Sequence, residues 1–274
     1  MQLREALRQG QEELGQRVER ADLDTLGLLA FLLGRPTSWV LAHDDVELTN
    51  VQRRRFQGLL IRRKHGWPLP YLYGFHDFFG RRYVVTPTTL IPRPATELIL
   101  EYLLAHESVT PQRILDIGTG TGCIAITLAT SRPAWNVRAT DVSSTALKIA
   151  RRNARIHRAS VRFVHDRSFS NVTTFRPDLI VANLPYLTKR EIIKNRLTFE
   201  PRIALDGGGR DGLQLYRRLL RTIPTSFSGS VYLEALPRQH IPLSQIIRQR
   251  WSGAMVTKIG SGRYPAGLRF LTRP

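Results

Sequence analysis

The sequence predicts an α/β chain in which a doubly wound, mostly parallel sheet follows a small all-helical domain, with a β-hairpin linking the two. Three observations carry this prediction. Residues 1–68 place apolar side chains at helical spacing, residues 69–94 switch to aromatic and β-branched residues around Gly80, and residues 95–274 alternate helical and strand signals. Such alternation builds parallel sheets with helices on both faces. At 274 residues, 42% hydrophobic and 23% charged, the chain has the composition of a globular protein with a sizeable core and excludes extended disorder.

Taken in order, Leu3, Leu7, Leu14 and Val18 share a first helical face. A second apolar run over residues 26–33 stops at Gly34, with Pro36 just beyond, as helices commonly end. A third helix starts at Thr49, with Gln52 at capping-box spacing, and continues through Phe56, Leu59 and Leu60 towards Gly66 and Pro68. It carries Arg53, Arg54, Arg55, Arg62, Arg63 and Lys64, which read either as a contact for nucleic acid or an acidic partner, or as a solvated face. Phe75, Phe78 and Phe79 before Gly80, and Tyr83, Val84 and Val85 after it, predict the hairpin. The remainder reads as helix 95–106, strand 113–117, helix 122–131, strand 137–141, helix 143–157 and strands 161–165 and 178–182. Helix 212–222, strand 230–234, helix 239–250 and strands 254–259 and 267–272 complete it.

Several function classes are excluded by composition. No segment approaches the ~18–20 consecutive apolar residues of a membrane span, and Glu5, Glu12, Glu13 and Glu19 argue against a leader peptide. The single Cys123 forms no internal disulfide and supports no cysteine-rich zinc site, so a reducing cytoplasm is expected. The net charge of +19 is uneven: residues 1–80 hold 11 basic and 10 acidic residues, and residues 81–274 hold 30 and 12. A field of that sign attracts polyanions over roughly 8–10 Å. It suits an RNA-contacting surface, or equally a generally basic proteome.

Chemistry enters at two motifs. The apolar strand Arg113-Ile114-Leu115-Asp116-Ile117 runs into Gly118-Thr119-Gly120-Thr121-Gly122, then into the helical run from Cys123. Glycines there let a ligand approach the backbone, and ligands of doubly wound sheets sit at the carboxyl ends of strands. The spacing is Gly-x-Gly-x-Gly rather than the Gly-x-Gly-x-x-Gly of dinucleotide folds. Asp141 ends the next predicted strand, where a carboxylate accepts the two hydroxyl hydrogens of a ribose; Ser143 already serves as the helix cap. Asp116 either braces the loop or pairs with a ligand amine. The second motif is Asn183-Leu184-Pro185-Tyr186 after strand 178–182. It suits methyl transfer to a planar nitrogen: an Asn carbonyl and the neighbouring Leu184 backbone carbonyl each accept one N–H, an aromatic ring packs on the flat group, and the lone pair faces the methyl donor. Pro185 restricts Leu184 to extended conformations and so fixes its carbonyl.

With these residues in view the sequence resembles the peptide chain release factor glutamine methyltransferases, class I enzymes dependent on S-adenosylmethionine. The resemblance runs through Pro70 to Gly74, Leu90-Ile91-Pro92-Arg93-Pro94, Asp116 to Gly122, Asp141-Val142-Ser143, Asn183 to Tyr186, Phe199 to Gly208, Asp211-Gly212-Leu213 and Leu233-Glu234. It implies the class I methyltransferase fold and methylation of the side-chain amide of the glutamine in the Gly-Gly-Gln loop of release factors. It further implies that Gly118, Thr119, Gly120, Thr121, Gly122, Asp141, Arg167 and Asn183 hold the cofactor. By the same resemblance Asn183, Leu184, Pro185 and Tyr186 carry the catalysis, and Pro92, Arg93, Asn183 and Tyr186 contact the substrate. Glu97 matches an acidic position of its segment, and Arg167 or Phe169 takes the place of an aromatic that stacks on adenine. The sequence departs from the family at Leu184, where Pro is usual, and at Ala95, where an acidic residue is common. The expected partner is a release factor, docked by domain 1–68, with ribosome or RNA nearby, and no membrane, metal or second protomer is expected. Two other readings stand beside it: an adenine-N6 methyltransferase on ribosomal RNA, favoured by Leu184 and the net charge of +18 in residues 81–274 and opposed by the segment from Glu200 to Gly208, and a catalytically silent RNA-binding assembly protein that retains the fold, suggested by the departures from the family.

Overall fold

A computed structural model describes residues 1–15, 17–261 and 264–272. The chain divides into two compact units, Met1–Gly74 and Phe75–Pro274. The first contains α1 (Leu3–Leu14), α2 (Ala21–Leu33), α3 (Thr37–Ala42), α4 (Asn50–Lys64) and α5 (Leu69–Tyr73). Leu3, Ala6, Leu14, Leu28, Leu29, Phe56 and Leu60 form its core. The buried face of α1 is Leu3, Ala6, Gly10 and Leu14; Leu7 is only partly buried, and Val18 lies beyond the end of the helix. The second helix begins five residues before the apolar run, because Asp22 and Asp24 in its first turn suit the positive end of a helix dipole. The capping box of Thr49 and Gln52 forms as expected.

The cations of α4 do not form one surface. Arg53, Arg54 and Arg55 are exposed, whereas Arg63 donates to Asp24 at 2.6 Å and to the Trp67 carbonyl at 3.0 Å. That pair is largely shielded, with 22% and 11% of the two side chains accessible, so Arg63 ties α4 to α2 rather than waiting for a partner. Arg63→Ala strands the Asp24 carboxylate and is expected to cost about 2 kcal/mol, read as a lower urea midpoint for the helical unit, while Arg54→Ala should leave it unchanged.

The second unit opens with the antiparallel hairpin of β1 (Phe75–Phe78) and β2 (Arg81–Val84). The hairpin, expected as part of a linker, is fastened to this unit. The Phe79 N–H donates to Glu97 at 2.5 Å, Tyr83 meets Thr127 at 3.1 Å, and the Val84 N–H donates to Asn153 at 2.8 Å. Glu97 therefore anchors the hairpin. There follow α6 (Pro94–His106), β3 (Arg113–Ile117), α7 (Cys123–Ser131), β4 (Asn136–Asp141), α8 (Ser144–Ile156), β5 (Val161–His165), α9 (Asn171–Thr174) and β6 (Leu179–Ala182). Next come α10 (Lys189–Lys194), a 3-10 turn (Arg202–Ala204), α11 (Gln214–Thr222), β7 (Gly229–Glu234), α12 (Pro237–Arg250), β8 (Met255–Ser261) and β9 (Tyr264–Thr272). The sequence reading did not include α3, α5, α9 or α10, each of six residues or fewer and too short to show a periodicity.

The sheet order is β5-β4-β3-β6-β7-β9-β8. β3 to β7 pair in parallel, and β9 runs antiparallel to both β7 and β8. Strand residues alternate between two cores. Ile114, Leu179, Val181 and Tyr232 face one with α6 and α7, and Leu115, Ile180, Ala182, Val231 and Leu233 face the other with α11 and α12. Chain order reverses between β3 and β6, so a crevice opens outside their carboxyl ends. Gly118, Asp141, Asn183 and Glu234 all lie at that edge, where β3, β4, β6 and β7 end. Among the described residues no helix is long and apolar enough to cross a membrane.

Candidate active site

A cavity of about 500 Å³ lies over this edge. Ile117, Gly118 and Gly120 form one wall, Thr140 to Ser143 the next, Asp166, Arg167 and Phe169 a third, and Asn183 to Pro185 the fourth. Thr88 to Leu90 and Ile203-Ala204 are also in the lining.

The glycine loop is held tightly. The Gly118 and Thr119 N–H groups donate to the Thr140 carbonyl at 2.9 and 3.0 Å. Gly118 adopts φ +78°, and a Cβ there would stand 3.1 Å from the Leu184 side chain and 3.4 Å from the Asn183 carbonyl. Only glycine lets the two motifs approach so closely. Asp141 accepts from the Gly120 N–H at 2.9 Å and the Ser143 N–H at 2.8 Å. Burial raises its pKa, and these backbone donors oppose the rise. Asp116 is fully buried and does not line the cavity. It accepts from Thr119 Oγ1 at 2.6 Å, so it braces the loop. Burial pushes its carboxyl up to about 7, against the Thr119 bond. Thr119 and Thr121 are buried, and neither they nor Gly122 line the cavity; Thr119 is committed to Asp116, and the Thr121 carbonyl accepts from Asn153 at 2.9 Å.

Asn183 lines the cavity. Its Nδ2 donates to Glu234 Oε2 at 2.9 Å and lies 3.2 Å from Thr96 Oγ1. Thr96 donates to the same Glu234 oxygen at 2.5 Å, and Tyr186 donates to Oε1 at 2.9 Å. Glu234, 2% exposed, is thus a carboxylate with three side-chain donors aimed at it. An ionised carboxylate only accepts, which fixes the amide with its NH2 on Glu234 and its Oδ1 free of hydrogen-bond partners among the described residues. Burial pushes the Glu234 carboxyl up to about 7, although the bonds from Thr96, Tyr186 and Asn183 and the charge of Arg93 oppose it. The Leu184 N–H donates to the Tyr216 hydroxyl at 3.2 Å, and that hydroxyl donates to the Glu234 carbonyl. A proline at 184 would have no N–H to give, so leucine here adds a bond that fixes this peptide.

Tyr186, Pro92 and Arg93 do not line the cavity. Tyr186 points its hydroxyl to Glu234, and its carbonyl accepts from Gln239 at 2.8 Å. Arg93 is paired with buried Glu200, which also accepts from the Ile91 N–H at 3.0 Å. This bond network joins the Leu90–Pro94 and Glu200–Leu205 segments, and Leu90, Ile203 and Ala204 line the cavity. Arg167 and Phe169 both line it. Arg218 donates to the Arg167 carbonyl at 2.8 Å, and its guanidinium lies 5.3 Å from the Phe169 ring centre. Burial would raise Asp166, but bonds from Asn171 and Ser168 hold it well below the usual carboxylate range. Glu234, Thr96 and Tyr216 are the site residues that sequence reasoning did not assign. The position of Glu234 at a strand end, on the same edge as Asn183, was the available signal.

Two buried carboxyls raised to about 7 give a pH signature. Between the ordinary carboxylate range and about pH 7 the folded chain keeps protons on Asp116 and Glu234 that the unfolded chain has released, so stability falls as pH rises through that window. Urea unfolding is expected to show a lower midpoint at about pH 8 than at about pH 5, with the difference reduced in Glu234→Gln. Burial also holds His76 and His240 below their ordinary range, which opposes part of the trend, so the decisive comparison is between variants: an unchanged pH dependence in Glu234→Gln would contradict the raised carboxyl at 234.

Comparison with known proteins adds the following. The family model described as Methyltransferase small domain matches residues 93–211, and that described as PrmC N-terminal domain matches residues 5–74. The Release factor glutamine methyltransferase of Enterococcus faecalis is 33% identical over 216 residues, 77% of each chain. That of Xylella fastidiosa is 38% identical over 213 residues, 76% of each chain, and that of Bordetella pertussis 36% over 218 residues, 77% of this chain and 80% of the relative. Among solved structures, the hMettl16 catalytic domain in complex with a MAT2A 3′UTR hairpin has a TM-score of 0.54 at 17% identity, covering 82% of each chain. A T. thermophilus 16S rRNA N2 methyltransferase in complex with AdoMet and guanosine has 0.52 at 15% identity, covering 73% of this chain and 50% of that one. At these identities the structural likeness shows the class I methyltransferase fold alone.

Proposed function

Since the chain belongs to the release factor glutamine methyltransferase family, we propose that it transfers a methyl group from S-adenosylmethionine to the side-chain amide nitrogen of the glutamine in the Gly-Gly-Gln loop of a peptide chain release factor. The observation that carries this reading is the fixed Asn183 amide, with its NH2 bound to Glu234 and its carbonyl left for an acceptor.

The cavity fits the cofactor. Its volume of about 500 Å³ lies in the range of small-molecule sites. Its lining supplies the backbone at Gly118 and Gly120, the Asp141 carboxylate and the Phe169 and Leu215 side chains. Asp141 would accept the ribose hydroxyls, and the glycine loop would let the amino-acid portion lie against the backbone. Arg167, Phe169 and Arg218 would border the adenine. When bound, S-adenosylmethionine supplies an electrophilic methyl on a sulfonium whose charge already drives displacement.

The chain's own residues then position the nucleophile. An amide nitrogen is a poor one, because its lone pair is delocalised into the carbonyl. Asn183 Oδ1 and the Leu184 carbonyl each accept one N–H of the acceptor amide, which turns the nitrogen towards the donor and stabilises positive charge as it develops there. Glu234 keeps Oδ1 in place, and Tyr216 keeps the Leu184 peptide in place.

Asp141→Ala removes the carboxylate without touching the acceptor clamp. It is expected to weaken cofactor binding about 10- to 100-fold, the scale of hydrogen bonds to a charged group, measured by calorimetry. The function is tested by supplying methyl-labelled cofactor with release factor or with ribosomal RNA: label is expected on the release factor, and label on the RNA alone would replace this reading with adenine methylation.

A further inference from the structure

A second concavity, an open groove of about 1040 Å³, adjoins the catalytic cavity and shares Ile203 and Leu215 with it. Its cationic lining comprises Lys189, Arg190, Arg202 and Arg210. Among the described residues no ion pair or hydrogen bond engages Lys189, Arg190 or Arg210, and all three are exposed. The acidic lining is Asp206 alone, and it is already answered, accepting from the Gly208 N–H at 3.1 Å and from Arg202 at 3.4 Å. Gly207, Gly208 and Gly209 form part of the wall, with Gly208 and Gly209 at φ +72° and +69°, and the Gln214 side chain packs against Gly208, so backbone and an amide border the cations. The other nearby acids are committed: Glu191 to Arg238 at 2.6 Å and buried Glu200 to Arg93.

We infer that this groove binds the phosphate backbone of single-stranded RNA, at a site separate from the cofactor cavity but overlapping its mouth. Solvated cations along an open groove with no uncommitted acid recognise repeated phosphates, and the excess of 30 basic over 12 acidic residues in 81–274 steers them there. No aromatic residue lines the groove, so no base is stacked and binding does not depend on sequence. An acidic peptide is the competing occupant, but its carboxylates come with side chains that need complementary pockets, whereas the groove offers the apolar Ile203 and Leu215 only at its junction with the cavity.

The test is fluorescence anisotropy of a labelled single-stranded RNA dodecamer with the full chain at about 50 and 200 mM salt. Three phosphate contacts, from Lys189, Arg190 and Arg210, correspond to an affinity loss of roughly 20-fold over that interval. In the triple variant Lys189→Gln, Arg190→Gln, Arg210→Gln none of them is left, and the salt dependence is expected to disappear almost entirely. These exposed positions lie outside the cavity, so cofactor affinity by calorimetry and the unfolding midpoint should be unchanged, which separates loss of the groove from loss of fold. Three results would overturn the inference: no RNA binding by the unaltered chain, an unchanged salt response in the triple variant, or a poly-glutamate peptide of equal charge that binds as tightly and displaces the RNA. Binding is read without turnover, so its failure is distinguishable from failure of the methyltransferase reading. Overlap with the mouth further predicts that the RNA raises the apparent KM for release factor with the unaltered chain and not with the variant; an unchanged KM at saturating RNA would overturn the overlap.

Discussion

Asn183→Ala is expected to lower kcat by roughly 100- to 1,000-fold, the scale lost when a preorganised hydrogen-bonding group is removed from a transition state, while cofactor affinity measured by calorimetry changes little. The substitution deletes the carbonyl that would accept an acceptor N–H but leaves the Gly118 loop and Asp141 with all their backbone bonds. Asn183→Asp is the sharper companion. Its shape is retained, but two carboxyls at what is a 2.9 Å contact cannot both ionise and share one proton, so activity should acquire a pH dependence that the amide does not give. Near-normal turnover in the alanine variant would remove the clamp from the mechanism.

Glu234 carries the second large effect. Glu234→Ala strands the Thr96 and Tyr186 hydroxyls and leaves the Asn183 NH2 only the longer bond to Thr96 Oγ1 at 3.2 Å, so the amide is free to turn its NH2 towards the acceptor. A misplacement of this kind costs roughly 100-fold in kcat. The Glu234→Gln variant distinguishes positioning from simple structural support. Its carbonyl still accepts from Asn183, so part of the rate should return. The pH profile separates the two variants from the unaltered chain: with the carboxyl pushed up to about 7 by burial, protonation below that pH gives the network a donor where it needs an acceptor, and kcat should fall as the pH drops. Glu234→Gln should lose that acid limb. An acid limb that persists in the glutamine variant would assign it to another group.

Much of this architecture is legible in the sequence because it depends on local signals. The run from Arg113 to Gly122 declares a strand entering a glycine turn, and the Thr49 and Gln52 pair declares a helix start; both follow from short-range backbone chemistry, and the structure forms both. The helix expected to begin at 212 starts at Gln214 and that expected at 239 starts at Pro237, because terminal turns are set by caps rather than by apolar periodicity. The long-range contacts were hidden. Nothing local to Asn183 reveals that its amide is held by a carboxylate 51 residues away, and nothing local to Arg93 reveals that it closes on Glu200 rather than facing the cavity. The same holds for Arg63, whose place in a run of cations suggested a surface role while its charge is used by Asp24. In each case a charged group was readable as a residue type and its partner was set only by the packing of distant elements.

The acceptor that Asn183 holds is expected to be a glutamine side-chain amide. The most direct measurement is peptide mapping by mass spectrometry of a release factor treated with the chain and S-adenosylmethionine. The expected result is one added methyl on the amide of the loop glutamine, absent when Asn183→Ala is used. An unmodified glutamine under conditions where the chain demonstrably binds the cofactor, or a methyl placed elsewhere on the release factor, would contradict the account.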